Sequence, residues 1–181
     1  MRNFFIYLFI SLFVFIGSCS RRTSPDKVPT EDIEPLEVKH FMENPTSIKE
    51  VDRRKEIMSQ LIKNYIDTLE VSQIIKDSYR RDYLHSLFIN LYEKNDYNLL
   101  WNSNLEPSQE LTTMIEYIKN VKNLGLQPND YNFNHLEELI NEAYVEGVLK
   151  DVLPLIRLDL CASSSALLLS SHLNAGRISP D

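Results

Sequence analysis

From Val51 onward, apolar residues return every three or four positions, a period that predicts helices. Ile57, Leu61, Ile62, Tyr65, Ile66 and Leu69 mark one helix, and Ile75, Tyr79, Tyr83, Leu84, Leu87, Phe88 and Leu91 mark a second. Asn95-Asp96 ends the second in a turn, and Tyr97 to Trp101 reads as a short extended stretch. Ser108, just past Pro107, is placed to cap a third helix, with Leu111, Met114, Ile115, Ile118 and Val121 on one face. Gly125 behind Leu124 fits the left-handed position that closes a helix, and Leu126 supplies the apolar contact of a Schellman turn. Asn134 is expected to cap a fourth helix, with Glu137 three residues on and Leu136, Leu139, Ile140, Ala143 and Tyr144 inward. Asp151 is expected to cap a last helix that runs to about Ala175, where Gly176 stops it. No stretch alternates long enough to demand a sheet. The fold class is mainly α: a small multi-helix domain with short extended connections.

The last helix departs from the one-stripe pattern. Leu167 and Leu168 point about 100° apart, Leu169 a further step on, and Leu173 follows. A helix apolar on all sides must be enclosed, and few residues follow this one. The expectation is that it needs more protein, either a covalent continuation or a partner. Ser163, Ser164, Ser165, Ser170 and Ser171 crowd the same helix, where small residues allow close packing and serine usually bonds its own backbone.

The N-terminus has a different pattern. Arg2 precedes a run from Phe4 to Ile16 broken only by Ser11, and the run closes on Gly17-Ser18-Cys19. This length fits a secretory leader and is short for a membrane span. Small residues directly before a cysteine resemble the lipobox of bacterial lipoproteins. That resemblance implies cleavage before Cys19 and its acylation; the plainer reading is an ordinary signal peptide. Two or more acyl chains hold a protein stably at a membrane, since each buried CH₂ contributes about 0.8 kcal/mol. Pro25, Pro29, Pro35 and Pro45, set among charges, make the following stretch a tether. The expected organisation is a signal peptide at 1–18, lipidated Cys19 and a flexible tether over 19–50, and a helical domain over 51–181, incomplete at its C-terminus. Ser20 after Cys19 resembles an outer-membrane sorting signal. The expected location is the cell envelope, on the periplasmic face of a membrane, with the outer membrane favoured.

Composition narrows the chemistry. The 181 residues carry a formal net charge of -7, and loss of the leader removes Arg2 and no acid. An acidic chain repels phosphates, so nucleic acid is not an expected partner. The 4 glycines form no phosphate-binding loop. Of the 2 cysteines, lipidation of Cys19 leaves Cys161 alone. His40, His85, His135 and His172 are scattered, with neither HExxH nor CxxC, so no metal and no cofactor is expected. Cys161 and His172 are the tempting nucleophile and base, yet eleven residues of helix put them roughly 16 Å apart along the axis. Cys161 is therefore expected to be a small buried residue, and His172 to favour the helix C-terminal dipole. Glu137, Glu138 and Glu142 read as a charged outer face, and no buried acid is nominated. No catalytic residue is assigned.

Four spaced segments carry a resemblance. Tyr92 leads to Leu100-Trp101; Gly125-Leu126-Gln127-Pro128-Asn129-Asp130-Tyr131 follows a helix; Leu158-Asp159-Leu160 opens the long helix; Gly176-Arg177-Ile178-Ser179-Pro180 follows it. In order and spacing they resemble the N-terminal scaffold domain of large murein L,D-transpeptidases. Two positions depart from that pattern, Leu99 before Leu100-Trp101 and Ser164 after Ser163. The family's chemistry lies in a catalytic domain with His-x-Gly and Ser-x-Gly-Cys segments, and neither occurs as such here. The resemblance thus implies a non-catalytic scaffold portion of an envelope protein concerned with peptidoglycan crosslinking. Its partners would be the membrane through the lipid, and a transpeptidase catalytic domain or peptidoglycan. The alternative is a stand-alone helical lipoprotein that binds a cell-wall enzyme or another envelope partner. Structural roles fall on Trp101, Gly125, Leu126, Pro128, Asp130, Tyr131, Asp159, Gly176, Arg177 and Pro180. Trp101 and Tyr131 are expected in the core, where each can bury about 150 Å² or more.

Overall fold

A computed structural model describes residues 48–69, 75, 77, 79–103 and 105–176. All lie in the compact unit Glu34–Asp181. The leader, Cys19, most of the tether, Arg177 and Pro180 fall outside the described residues. Among the described residues the order is α1 (Ile48–Thr68), α2 (Arg81–Lys94), a hairpin of β1 (Asn102–Ser103) and β2 (Glu106–Pro107), α3 (Gln109–Lys119), 3₁₀ turns at Val121–Leu124 and Pro128–Tyr131, α4 (Phe133–Ala143), a second hairpin of β3 (Tyr144–Val145) and β4 (Val148–Leu149), and α5 (Val152–Ala175). The protein is mainly α, as the periodicity predicts. Helix α1 begins at Ile48, inside the stretch read as tether.

Helix α2 starts later than its apolar spacing suggests. The Asp77 carboxylate accepts the N–H groups of Tyr79 at 2.7 Å and Arg80 at 3.1 Å, and this side-chain turn competes with helix before Arg81. Ile75 is buried but lies outside the helix, while Tyr79 and Tyr83 are 73% and 58% exposed and do not join the core. Leu84, Phe88 and Tyr92 form the inward stripe instead.

Two turns close by one hydrogen-bond pattern. After Val121–Leu124, Leu126 N–H donates to the Val121 carbonyl and Gly125 N–H to that of Lys122, the expected Schellman closure. Gly125 sits at φ 75°, and an added Cβ there would meet nothing within 4 Å, so backbone conformation rather than space calls for glycine. After α2, Tyr97 N–H donates to Tyr92 and Asp96 N–H to Glu93 in the same arrangement. No glycine is present: Asp96 and Tyr97 stand at φ 51° and 54°. Left-handed backbone costs a side-chain-bearing residue roughly 1–2 kcal/mol.

Ser108 and Asp151 cap α3 and α5 as expected, accepting from Leu111 N–H at 3.2 Å and Leu153 N–H at 3.1 Å. Asn134 does not cap α4. The helix begins at Phe133 behind Asn132, whose φ is 57° and whose amide instead donates to Ser165 Oγ at 3.0 Å. The hairpins are two residues deep, with Asn102 opposite Pro107 and Tyr144 opposite Leu149. Glu146 and Gly147, at φ 52° and 81°, supply the paired left-handed residues of a tight primed turn.

Helix α5 is the axis of the core, packed along by α4 and joined by α2 and the Pro128–Tyr131 turn. It is long and apolar enough to cross a membrane by length and composition, but 78% of its most apolar window is buried inside the protein. Leu167, Leu168 and Leu169 are 6%, 5% and 1% exposed. The expectation that this segment needs further protein to cover it is therefore wrong for these leucines: helices from earlier in the chain enclose it. Leu173 alone of the four stays exposed.

Candidate functional site

A charged side chain on a helix enclosed on all sides must find partners or force its neighbours apart. Asp159 is such a residue, with 0% exposure in the second turn of α5. The connection between α2 and α3 is folded around it. Leu100 N–H donates to Oδ2 at 3.0 Å, Trp101 N–H to Oδ2 at 2.9 Å and Asn102 Nδ2 to Oδ2 at 3.1 Å. Tyr92 O–H donates to Oδ1 at 2.7 Å. One turn further along α5, Ser163 Oγ accepts from Trp101 Nε1 at 2.9 Å and lies 2.8 Å from the Tyr92 hydroxyl. Tyr92 gives its proton to Asp159, so Ser163 gives its own to Tyr92. The chain of donors therefore runs from Trp101 through Ser163 and Tyr92 to the carboxylate. Tyr144 extends it outward, donating to Asn102 Oδ1 at 2.6 Å.

Burial pushes the Asp159 carboxyl above its ordinary range, against the pull of the Trp101 and Leu100 N–H groups, the Tyr92 hydroxyl and the Asn102 amide. Burial, with the Asp159 charge beside it, also raises Tyr92 well above the usual phenol range, so Tyr92 remains a donor. Asp159 thus is a buried acid that the sequence reading did not nominate. Its lone pairs are taken by groups of the same fold, so the cluster clasps the connection onto α5.

A second polar centre lies at the other end of α5. His172 Nε2 is 3.1 Å from Asp77 Oδ2, and the two side chains are only 6% and 14% exposed. A carboxylate at Nε2 calls for an N–H there, and on the ring's other side Nδ1 lies 2.9 Å from the Tyr131 hydroxyl. Arg80 Nη1 donates to Ser171 Oγ at 3.0 Å beside this pair. Desolvation raises the Asp77 carboxyl, but the His172 hydrogen bond, the Arg80 and Tyr79 N–H groups and the His172 charge outweigh it and hold the group below its ordinary value. His172 is therefore a buried bridge between α5, the Asp77–Arg80 turn and Tyr131. It does not merely lie on the helix dipole, as the sequence suggested.

The motif residues separate accordingly. Trp101 and Asp159 meet in the clasp; Tyr131 belongs to the His172 bridge. Trp101 is half-buried, short of the full burial expected, and both its N–H groups are used. Tyr131 is buried. Gly125 and Leu126 form the Schellman turn, Pro128 and Asp130 lie in the following 3₁₀ turn, and Gly176 ends α5 at φ 78°. Cys161 is half-buried rather than buried. Ser164 bonds back to the Cys161 carbonyl at 3.0 Å as serines in helices do, whereas Ser163 and Ser165 bond across to other elements. Among the described residues no group of His, Cys, Asp and Glu is placed to hold a metal ion. Sequence reasoning missed Asn102, Ser163, Tyr144 and the Asp77–His172 pair. Its available signal was Asp159 followed at one-turn spacing by Ser163 on an otherwise apolar helix, since a buried polar residue is the informative exception.

The long helix that carries Asp159 in its second turn, and the connection wrapped around it, lie in the region that a family model matches: the Scaffold domain, over residues 86–181. The chain belongs to the Scaffold domain family. The Scaffold match begins inside α2, and α1 precedes it. No curated protein and no solved structure matches the chain.

Proposed function

We infer that this Scaffold domain works in the cell envelope as a lipid-tethered, non-catalytic module of peptidoglycan crosslinking, in the company of an L,D-transpeptidase. The observation that carries the reading is the Asp159 clasp. Tyr92, Leu100-Trp101 and Leu158-Asp159-Leu160 are the spaced residues that resemble the scaffold portion of those enzymes, and they converge on one carboxylate. Every polar group of the clasp holds another part of the fold, which suits a domain that positions something else. Cys19 supplies the anchor, the tether sets the domain off the membrane, and Ser20 favours the outer membrane. The acyl transfer through a cysteine thioester belongs to a catalytic domain, in the same polypeptide or in a partner.

The exposed Val145 and Val148, opposite each other on the β3–β4 hairpin, favour a second reading. There the chain is a self-standing lipoprotein that binds a cell-wall enzyme through such apolar surface.

Two measurements test the proposal. Cells grown with a labelled fatty acid should label the wild-type chain and not Cys19→Ala; equal labelling removes the anchor. Purified residues 20–181 should form no crosslinks on murein stem peptides. Crosslinks that appear with this chain and vanish in Cys161→Ser would overturn the non-catalytic reading.

A further inference from the structure

The turn Asp96-Tyr97 holds two successive left-handed residues without a glycine. Such backbone persists only where its surroundings over-determine it. From one side the connection that follows is pinned at Leu100 and Trp101 by Asp159. From the other, Lys63 of α1 places Nζ 5.7 Å from the centre of the Tyr97 ring, within reach of a cation–π contact. Asn95 and Asn98 brace the turn by reciprocal amide-to-carbonyl hydrogen bonds of 3.1 and 2.8 Å. Helix α1 lies outside the matched Scaffold region and buries one stripe, Met58, Ile62 and Ile66, with Asp52, Arg53, Lys55 and Glu56 exposed on its other faces.

The geometry points to the Asp96-Tyr97 turn as a coupling device that links the docking of α1 to the closure of the Asp159 clasp. With α1 docked, Lys63 caps the Tyr97 ring and the left-handed pair is held. When α1 lifts, the turn relaxes toward ordinary backbone and draws Leu100 and Trp101 off the carboxylate. The coupling itself uses no part of the anchor. Its regulatory meaning does rest on the tethered reading above: α1 lies on the N-terminal side of the Scaffold region, toward the proposed anchor, so a load or partner on α1 reaches the clasp.

The test is hydrogen exchange on the full chain, read on peptides covering α1 and on peptides covering Leu100 and Trp101. Lys63→Met removes the charge and keeps the stem. It should speed exchange in both regions by the same factor, about two- to fivefold, as expected for loss of one partly exposed cation–π contact. Because coupling is reciprocal, Asp159→Asn should also speed exchange in α1. Asp96→Gly, which accepts φ 51° without strain, should slow exchange in both regions. A pattern in which only one region responds, or neither, overturns the coupling. Lys63 and Asp96 are exposed, so their variants decide the matter even where Asp159→Asn fails to fold. No arm involves Cys19, and loss of the anchor leaves these outcomes unchanged.

Discussion

The two polar centres on α5 use similar parts to opposite effect. Each has an aspartate and a tyrosine hydroxyl in the same cluster. Asp159 is in the middle of the core, and its four donating residues come from α2, the connection and β1. Asp77 is at the rim, accepting Tyr79 and Arg80 N–H groups and His172. Desolvation acts on both, yet it wins at Asp159 and loses at Asp77. The number of hydrogen bonds therefore does not decide the sign; the depth of burial does. A carboxylate can be the better-bonded of two and still be the one that folding makes harder to ionise.

Breaking the central member should cost most. Asp159→Ala strands the Tyr92 hydroxyl, the Leu100 and Trp101 N–H groups and the Asn102 amide; with about 1–3 kcal/mol lost for each buried donor left unsatisfied, it should lower stability in urea denaturation by more than either variant below. Trp101→Ala removes a half-buried ring and the donor to Ser163, and should cost about 3 kcal/mol, the low end for such a truncation. His172→Ala leaves Tyr131 and Asp77 without the ring between them, and should cost about 1–3 kcal/mol.

The smallest effects are in pH dependence, and they have opposite signs. The Asp77 carboxyl is depressed in the folded protein, so its contribution is present above the ordinary value of 3.8 and is lost as pH falls through the folded value. Asp77→Asn should flatten that acid limb of the midpoint-versus-pH curve. Asp159 is raised, so its contribution is complete below 3.8 and is lost as pH rises through the folded value. An Asp159→Asn chain that stays folded should lose that opposing slope; unchanged limbs in both variants would contradict the assignment.

The helices were legible because their apolar spacing, caps and stops are local. Ser108, Gly125, Asp151 and Gly176 each act within a few residues of where they stand. The α2 start was misread because the Asp77 turn, a side chain competing with the backbone, outweighs the apolar spacing of Ile75 and Tyr79. Asn134 was misread because Asn132 makes a long-range bond to Ser165 that no local pattern announces. The clasp was half legible. Resemblance picked out Trp101 and Asp159 as motif residues, but only the fold brings them to 2.9 Å. Enclosure of Leu167 to Leu169 is likewise a tertiary fact, set by how α2 and α4 wrap α5.

The Asp159 clasp ties α2, the connection and α5 of the Scaffold domain into one unit. Urea unfolding of wild type and Asp159→Ala, each followed by Trp101 emission and by far-ultraviolet circular dichroism, tests it most directly. The wild type should show coincident transitions by the two signals, and in the variant both midpoints should fall together. A variant whose Trp101 emission changes while the helical midpoint stays in place would show that the clasp only pins a surface connection.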